Sequence, residues 1–353
     1  MGIFNGKTFL EEDAHNGDRH RKEYLQSVLN LIDKKYAESY EERASFMPAE
    51  SFPEKQEFYR DEYLKMIGSP VKEYPKDIPC AKKGKIGKDD FGTAYRMQIE
   101  VLPDFWFYGI LTVPHGVKKA PLVIAQHGGW GIPELCCDMA GENNYDYFTK
   151  RALEEGMVVF APQLLLWCFD TETGEKRVAV DVSFDRNDID RKLKHLGFSI
   201  TGLEVFCIRR SIDYLASLDF VDEDKIGMMG LSYGGYFSIY TAAADTRIKS
   251  VYSAAAFNDR TKIAFHNWIY KDAANTFLDG EVAGLCAPRR LQIDVGKEDH
   301  VFDYSLTPSE SERAKKYYKA FNAEDNFRFN LWEGGHKFDV DGEGFSFFFE
   351  GLK

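Results

Sequence analysis

The chain has 353 residues, 44% apolar, 15% aromatic and 29% charged, with 12 prolines, the profile of a folded globular protein rather than a disordered or fibrous one. A formal charge of −12 without any cluster of Lys and Arg argues against nucleic acid as a partner, because affinity for phosphates comes from grouped cations. Met1 to Leu10 lacks the basic start and apolar core of a secretory leader, and the longest apolar stretch, Met157 to Phe169, is broken by Pro162 and Gln163 and too short to cross a bilayer, so a soluble cytoplasmic protein with no membrane partner is expected.

Between Arg19 and Ala44, Leu25, Val28, Leu29 and Ile32 form a helical stripe among charges, and Tyr59, Tyr63, Met66 and Ile67 repeat the spacing after Pro53. Residues 1 to about 75 therefore read as a helical arm. The N-terminal helical extension is assigned to 1–90 and an α/β unit to 91–353. The arm is expected to serve as a packing appendage or as a homo-oligomer contact. Lys82-Lys83-Gly84-Lys85, offset by Asp89 and Asp90, reads as a solvated loop.

From about residue 94 the period changes to that of strands. Tyr95–Val101 and Phe105–Val113 flank Pro103-Asp104 and predict an antiparallel hairpin. Apolar strands at 122–126, 157–161, 226–230, 250–254, 291–295 and 327–332 then alternate with helical stretches at about 143–155, 199–217, 234–244, 309–323 and 342–351. This predicts a mostly parallel central sheet with helices on both faces, whose ligands bind at the carboxyl ends of the strands. Residues 163–198 and 258–280 fit neither pattern and are expected as insertions near the site, the first as a loop over it. The six cysteines (80, 136, 137, 168, 207 and 286) show no metal spacing.

The strongest chemical signal is Lys225-Ile226-Gly227-Met228-Met229-Gly230-Leu231-Ser232-Tyr233-Gly234-Gly235, a short apolar strand that ends in G-x-S-x-G and opens into an apolar helix. Such a turn lifts a serine hydroxyl out of the sheet, and its glycines sit where a side chain would collide with a neighbouring element. Ser232 is the expected nucleophile. Ser199, which follows charged residues instead of a strand, is not.

A hydroxyl needs a base. Among eight histidines, His336 in Glu333-Gly334-Gly335-His336 follows the last strand, where the chain order Ser, acid, His of this arrangement puts the base. The acid falls between them, in Asp294-Val295-Gly296-Lys297-Glu298-Asp299-His300-Val301-Phe302-Asp303. Asp294 lies within the strand pattern. Asp299, three residues past the Gly296 turn, is preferred, then Asp303, then Glu298.

An oxyanion site requires backbone N–H groups facing the nucleophile. Pro121 to Gln126 is a strand ending in His127-Gly128-Gly129-Trp130. The N–H groups of Gly129, with Trp130 as alternative, and of Tyr233 are the expected donors, and His127 is expected to brace the loop. Trp130, Trp167, Phe169 and Trp268 are candidate walls of a pocket for sugar or aromatic faces, with Trp130, Trp167 and Trp268 taken as substrate-binding residues.

With strand–H-G-G, strand–G-x-S-x-G–helix, an acidic loop and a terminal G-G-H in this order, the chain resembles the α/β-hydrolase superfamily over about residues 90–350. Gly202 to Leu215 and Cys286-Ala287-Pro288-Arg289-Arg290-Leu291 are similar to its dienelactone hydrolase and acetyl xylan esterase-like branch. The resemblance implies a Ser-Asp-His hydrolase without metal or organic cofactor, acting on acetyl or other small esters, often of carbohydrates. Ser232 stands where true dienelactone hydrolases carry Cys, which argues against that reaction. Two other readings stay open: a serine peptidase or amidase of the same fold, and a non-catalytic binding protein on a hydrolase fold.

Overall fold

The computed structural model describes residues 14–139, 143–169, 176–178, 185–263 and 265–353. Its strands are β1 Ala81–Lys88, β2 Gly92–Leu102, β3 Phe105–Pro114, β4 Ala120–Gln126, β5 Val158–Pro162, β6 Trp167–Phe169, β7 Lys176–Val178, β8 Val221–Leu231, β9 Ile248–Ala254, β10 Arg290–Gly296 and β11 Phe327–Trp332. Nine of them form one sheet in the order β1-β2-β3-β5-β4-β8-β9-β10-β11, with β6 and β7 paired separately. β1, β2 and β3 run antiparallel and β3 meets β5 antiparallel, whereas β5, β4, β8, β9, β10 and β11 are mutually parallel. The β2–β3 hairpin turns at Asp104, whose φ of 62° is one that Asp tolerates better than most residues.

The helices are α1 Asp18–Phe46, α2 Phe52–Ile67, α3 Pro133–Cys136, α4 Phe148–Glu154, α5 Arg186–His195, α6 Ile200–Ala216, α7 Tyr233–Ala244, α8 Asp279–Gly284, α9 Pro308–Ala320 and α10 Gly344–Glu350. Side chains alternate across each strand, so β4 sends Leu122 and Ile124 into one core and Val123 and Ala125 into the other. The first core is closed by α2, α6, α7, α8 and α9, the second by α3, α4 and α10. Both faces of the central strands are thereby dry, which explains their continuous apolar runs.

The helical extension is docked on the first core. Tyr59, Tyr63 and Ile67 of α2 are buried there, and the Tyr63 hydroxyl donates to the Tyr240 carbonyl at 2.8 Å. The C-terminal end of α1 is tied down by buried Arg43, 3.3 Å from Glu310 and 3.7 Å from Glu281. Among the described residues no helix is long and apolar enough to cross a membrane.

Three expectations are corrected. Lys82-Lys83-Gly84-Lys85 lies in strand β1, at the edge of the sheet, so the helical extension ends before Ala81 and not near residue 90. An edge strand with both faces wet has no apolar alternation to betray it. Segment 163–198 is not an irregular loop in its described part: it holds β6 and α5, which starts with a reciprocal cap between Asp185 and Asp188. The helix predicted at 143–155 begins only at Phe148, after Tyr147 turns to φ 56°.

Candidate active site

β8 ends at Leu231, and Ser232 follows with φ 58° and ψ −120°, directly ahead of α7. A non-glycine residue held there is strained. The turn is locked by the Ser232 N–H donating to the Ala254 carbonyl at 2.8 Å and the Tyr236 N–H donating to the Ser232 carbonyl at 2.9 Å. The flanking glycines are explained by space: a Cβ on Gly230 would stand 2.3 Å from the Gly234 carbonyl carbon, and one on Gly234 would stand 2.0 Å from the Gln126 oxygen.

That second contact brings the end of β4 against the elbow. A Cβ on Gly129 would lie 3.4 Å from the Tyr233 ring, and one on Gly128 3.4 Å from the Ser232 Cβ. The Gly128 N–H donates to the Tyr145 hydroxyl at 2.9 Å, and Gly131 N–H closes a turn on the Gly128 carbonyl at 3.1 Å. His127 is fully buried. Its Nε2 accepts from the Leu164 N–H at 2.9 Å, which leaves Nδ1 to donate to the Gly128 carbonyl at 2.8 Å. Burial, reinforced by the Arg186 charge and opposed by the bond to Gly128, lowers its pKa to about 3. His127 therefore braces the loop as a neutral imidazole, as expected.

Past β10, the loop carrying Asp299 is laced to the loop after β11: Lys297 N–H donates to the Trp332 carbonyl and Glu298 N–H to the Gly334 carbonyl, each at 2.9 Å. This brings His336 to Asp299, with Nδ1 2.8 Å from Oδ2. The other oxygen of Asp299 accepts from the N–H groups of Val301 at 2.7 Å and Phe302 at 3.2 Å. Burial would raise the Asp299 carboxyl, but the bond to His336, its charge and the two backbone donors together hold it below the usual value. The Phe302 ring stacks on His336 at 5.9 Å. With Nδ1 engaged, Nε2 is the nitrogen left for proton transfer.

The other carboxylates are elsewhere. Asp303 is exposed and caps the turn at Ser305 N–H, 2.9 Å away. Asp294 is buried in a network with Tyr252, Gln292 and Asn330. Glu298 is exposed.

Ser232 and His336 share the wall of one cavity of about 880 Å³, with Gly129, Trp130, Trp167 and Tyr233. Trp167 packs edge-on to Tyr233 at 4.6 Å and lies 6.2 Å from the half-exposed Trp130. Trp268 does not line this cavity. It is sealed behind Tyr233, stacked on Tyr236 at 4.2 Å and under Arg260 at 4.4 Å. The Phe169 side chain lies outside the described residues.

Sequence reasoning missed Tyr145, Arg186 and Glu204. Tyr145 receives the Gly128 N–H from a loop before α4. Arg186 forms a two-pronged pair with Glu204 at 2.7 and 2.6 Å, lies 4.3 Å over the Trp167 ring and donates to the Leu165 carbonyl at 2.8 Å, fixing the Trp167 wall. None of the three belongs to a spacing pattern: all act through tertiary contacts.

Residues 107–270 match the Dienelactone hydrolase family, and residues 209–332 match the X-Pro dipeptidyl-peptidase (S15 family). Acetyl esterase Axe7A of Xylanibacter ruminicola is 27% identical over 53% of this chain and 41% of its own length. The matches span about two fifths of the curated relatives, 42% and 41%. Among solved structures, the glucuronoyl esterase from Solibacter usitatus superposes with a TM-score of 0.60 at 15% identity, over 83% of this chain and 92% of that one. Acetyl xylan esterase 1 from Thermoanaerobacterium sp. JW/SL YS485 gives 0.53 at 17% identity, over 85% and 94%. The chain thus has the α/β-hydrolase fold and is similar to the dienelactone hydrolase and acetyl xylan esterase-like branch, in agreement with its motifs.

Proposed function

We propose that this chain is a serine carboxylic-ester hydrolase that removes acetyl or other short acyl groups, with a small molecule or a carbohydrate as the alcohol part. The observation that carries this reading is the Asp299–His336 pair on the wall of the cavity that also holds Ser232 at its strained elbow.

Ser232 Oγ attacks the ester carbonyl while His336 Nε2 takes its proton; Asp299 holds the imidazole and balances its positive charge. The tetrahedral oxyanion is received by the N–H of Tyr233, at the start of α7, and by that of Gly129. The Gly128 N–H is occupied by Tyr145, which leaves the Gly129 N–H, or next to it that of Trp130, as the donor on this loop. His336 then protonates the leaving alcohol. A water activated by the same imidazole releases the acid and restores Ser232. Trp130 and Trp167 offer apolar faces to the alcohol or acyl group; an acetyl group is supported by the name of the curated relative, an acetyl esterase, and a carbohydrate as the alcohol part by those of the acetyl xylan esterase and glucuronoyl esterase among the similar structures. A reducing, cytoplasmic setting fits the five cysteines left unbridged among the described residues.

The match of residues 209–332 to a peptidase family supports a second reading, in which the same triad cleaves an amide. Labelling with a fluorophosphonate, followed by peptide mass analysis and by assays on an acetyl ester and an X-Pro anilide, tests both. The ester reading requires a mass shift on the Ser232 peptide with turnover of the ester alone. Turnover of the anilide alone would move the assignment to a peptidase, and a missing label would remove Ser232 as nucleophile.

A further inference from the structure

We propose that Asn267 selects the alcohol part of the substrate, its side-chain N–H donating to a ring hydroxyl next to the scissile ester. The inference rests on the short-acyl ester reading and adds to it a group that the site is built to recognise. Asn267 sits in the short turn His266–Trp268 and lines the cavity that holds Ser232 and His336. It is 3% exposed. Asparagine is mostly a surface residue, and burying its amide costs free energy unless both ends are hydrogen-bonded.

Here one end is bonded and the other is not. Oδ1 accepts from the Tyr233 hydroxyl at 3.0 Å, and the backbone carbonyl of Asn267 accepts from the Thr201 hydroxyl at 3.3 Å, so the residue is held at side chain and main chain alike. Burial raises the Tyr233 phenol above its usual value, which keeps the hydroxyl protonated and a donor. The carboxamide is thereby fixed with its oxygen engaged and Nδ2 without an acceptor among the described residues. An N–H withdrawn from bulk water with no protein acceptor must be satisfied from the cavity, by water or by a ligand oxygen. The other polar side chains of the wall are engaged or wet. Arg186 is held by Glu204, the Tyr145 hydroxyl receives the Gly128 N–H, and Asn143 and Asn144 donate to Asp138 and to the His336 carbonyl, each at 3.4 Å. Asn187 is half-buried, and Asp185, His300 and Lys337 are exposed.

Position says which oxygen is met. Tyr233 follows Ser232 directly, so Asn267 stands one tyrosine side chain and one hydrogen bond away from the elbow. It reaches groups within about one ring of the reacting carbonyl and none farther along a chain. A short acyl group offers no oxygen beyond that carbonyl, which belongs to the N–H groups of Gly129 and Tyr233. The acceptor is therefore on the alcohol part. The wall on this side is otherwise aromatic, with Phe265 at 6.0 Å and Trp167 at 4.6 Å from the Tyr233 ring. In such surroundings a single hydrogen bond discriminates strongly, because an alcohol part without the hydroxyl leaves Nδ2 dry and unpaired.

The test compares two acetates of one ring size, the monoacetate of a vicinal trans-cyclohexanediol and cyclohexyl acetate, which differ by a single hydroxyl. Wild type is expected to favour the diol monoacetate in kcat/KM by roughly ten- to a hundredfold. Asn267→Leu should lose that preference, and the ratio of preferences between the two proteins cancels any intrinsic difference in ester reactivity. Asn267→Ala, which adds no bulk to the wall, gives the same reading should leucine not be accommodated. Variants that slow both esters by one factor and keep the preference would reduce Asn267 to a brace for Tyr233 and overturn the proposal. A wild type that turns over the two esters alike would overturn it without any variant and leave the ester reading standing, whereas a wild type that turns over neither would overturn that reading and this assignment with it.

Discussion

His336 Nδ1 lies 2.8 Å from Asp299 Oδ2, and the remaining oxygen of that carboxylate is saturated by the N–H groups of Val301 and Phe302. The carboxylate thus has a fixed direction before any substrate arrives, and the imidazole inherits it. Replacing Asp299 by Asn keeps the shape but removes the charge and reverses the tautomer, so kcat should fall by roughly a thousandfold or more. Asp303→Asn, at an exposed cap, should leave kcat within about twofold, as surface changes do. Steady-state kinetics of the two variants on one ester decides which aspartate serves His336.

The strain at Ser232 makes a separate prediction. At φ 58° and ψ −120° a glycine is at ease and a serine is not, so Ser232→Gly should abolish turnover and stabilise the fold by about 1–3 kcal/mol. Ser232→Ala keeps the Cβ and should show no comparable gain. Denaturant midpoints of the two inactive variants, compared with wild type, check this.

His127 gives the stability a pH dependence of definite sign. Its folded pKa, about 3, lies below the value near 6.5 of an unfolded histidine. Between those values the unfolded chain binds a proton that the folded chain refuses, so stability falls as pH drops through this window and is unaffected by His127 above it. His127→Gln, which keeps an acceptor for the Leu164 N–H, should flatten the slope between about pH 6.5 and 4; below that, protonation of the depressed Asp299 adds its own loss. Thermal midpoints across pH 4 to 8 measure it.

Trp268 and Trp130 should separate cleanly. Trp268, packed on Tyr236 and Arg260, is a core residue, and Trp268→Ala should cost about 3–5 kcal/mol of stability. Trp130, half-exposed on the cavity wall, should leave stability nearly unchanged when cut to Ala and raise KM instead. Urea titrations with KM values for both variants test this.

What could be read from the sequence was local. The elbow announces itself because Gly230, Ser232 and Gly234 must all sit within one turn, and the β2–β3 hairpin because its strands are adjacent in the chain. The chain order Ser, acid, His put the acid after the penultimate strand and the base after the last; in the fold these strands, β10 and β11, are paired, and Glu298 N–H is laced to the Gly334 carbonyl. Strand β1 escaped because its residues are lysines at a wet edge, and α5 because its face is charged. Trp268 was misplaced since a buried and a pocket-lining tryptophan look alike in one dimension, and Tyr145 was missed because only the folded chain brings it to Gly128.

The measurement closest to the central claim is hydrolysis of p-nitrophenyl esters from acetate to octanoate by wild type and Ser232→Ala in parallel. Expected is fastest turnover of acetate by wild type and a loss of about a thousandfold or more in the variant. A variant that matches wild type, or a wild type that turns over none of these esters, would contradict the assignment of Ser232 and leave a hydrolase fold used for binding.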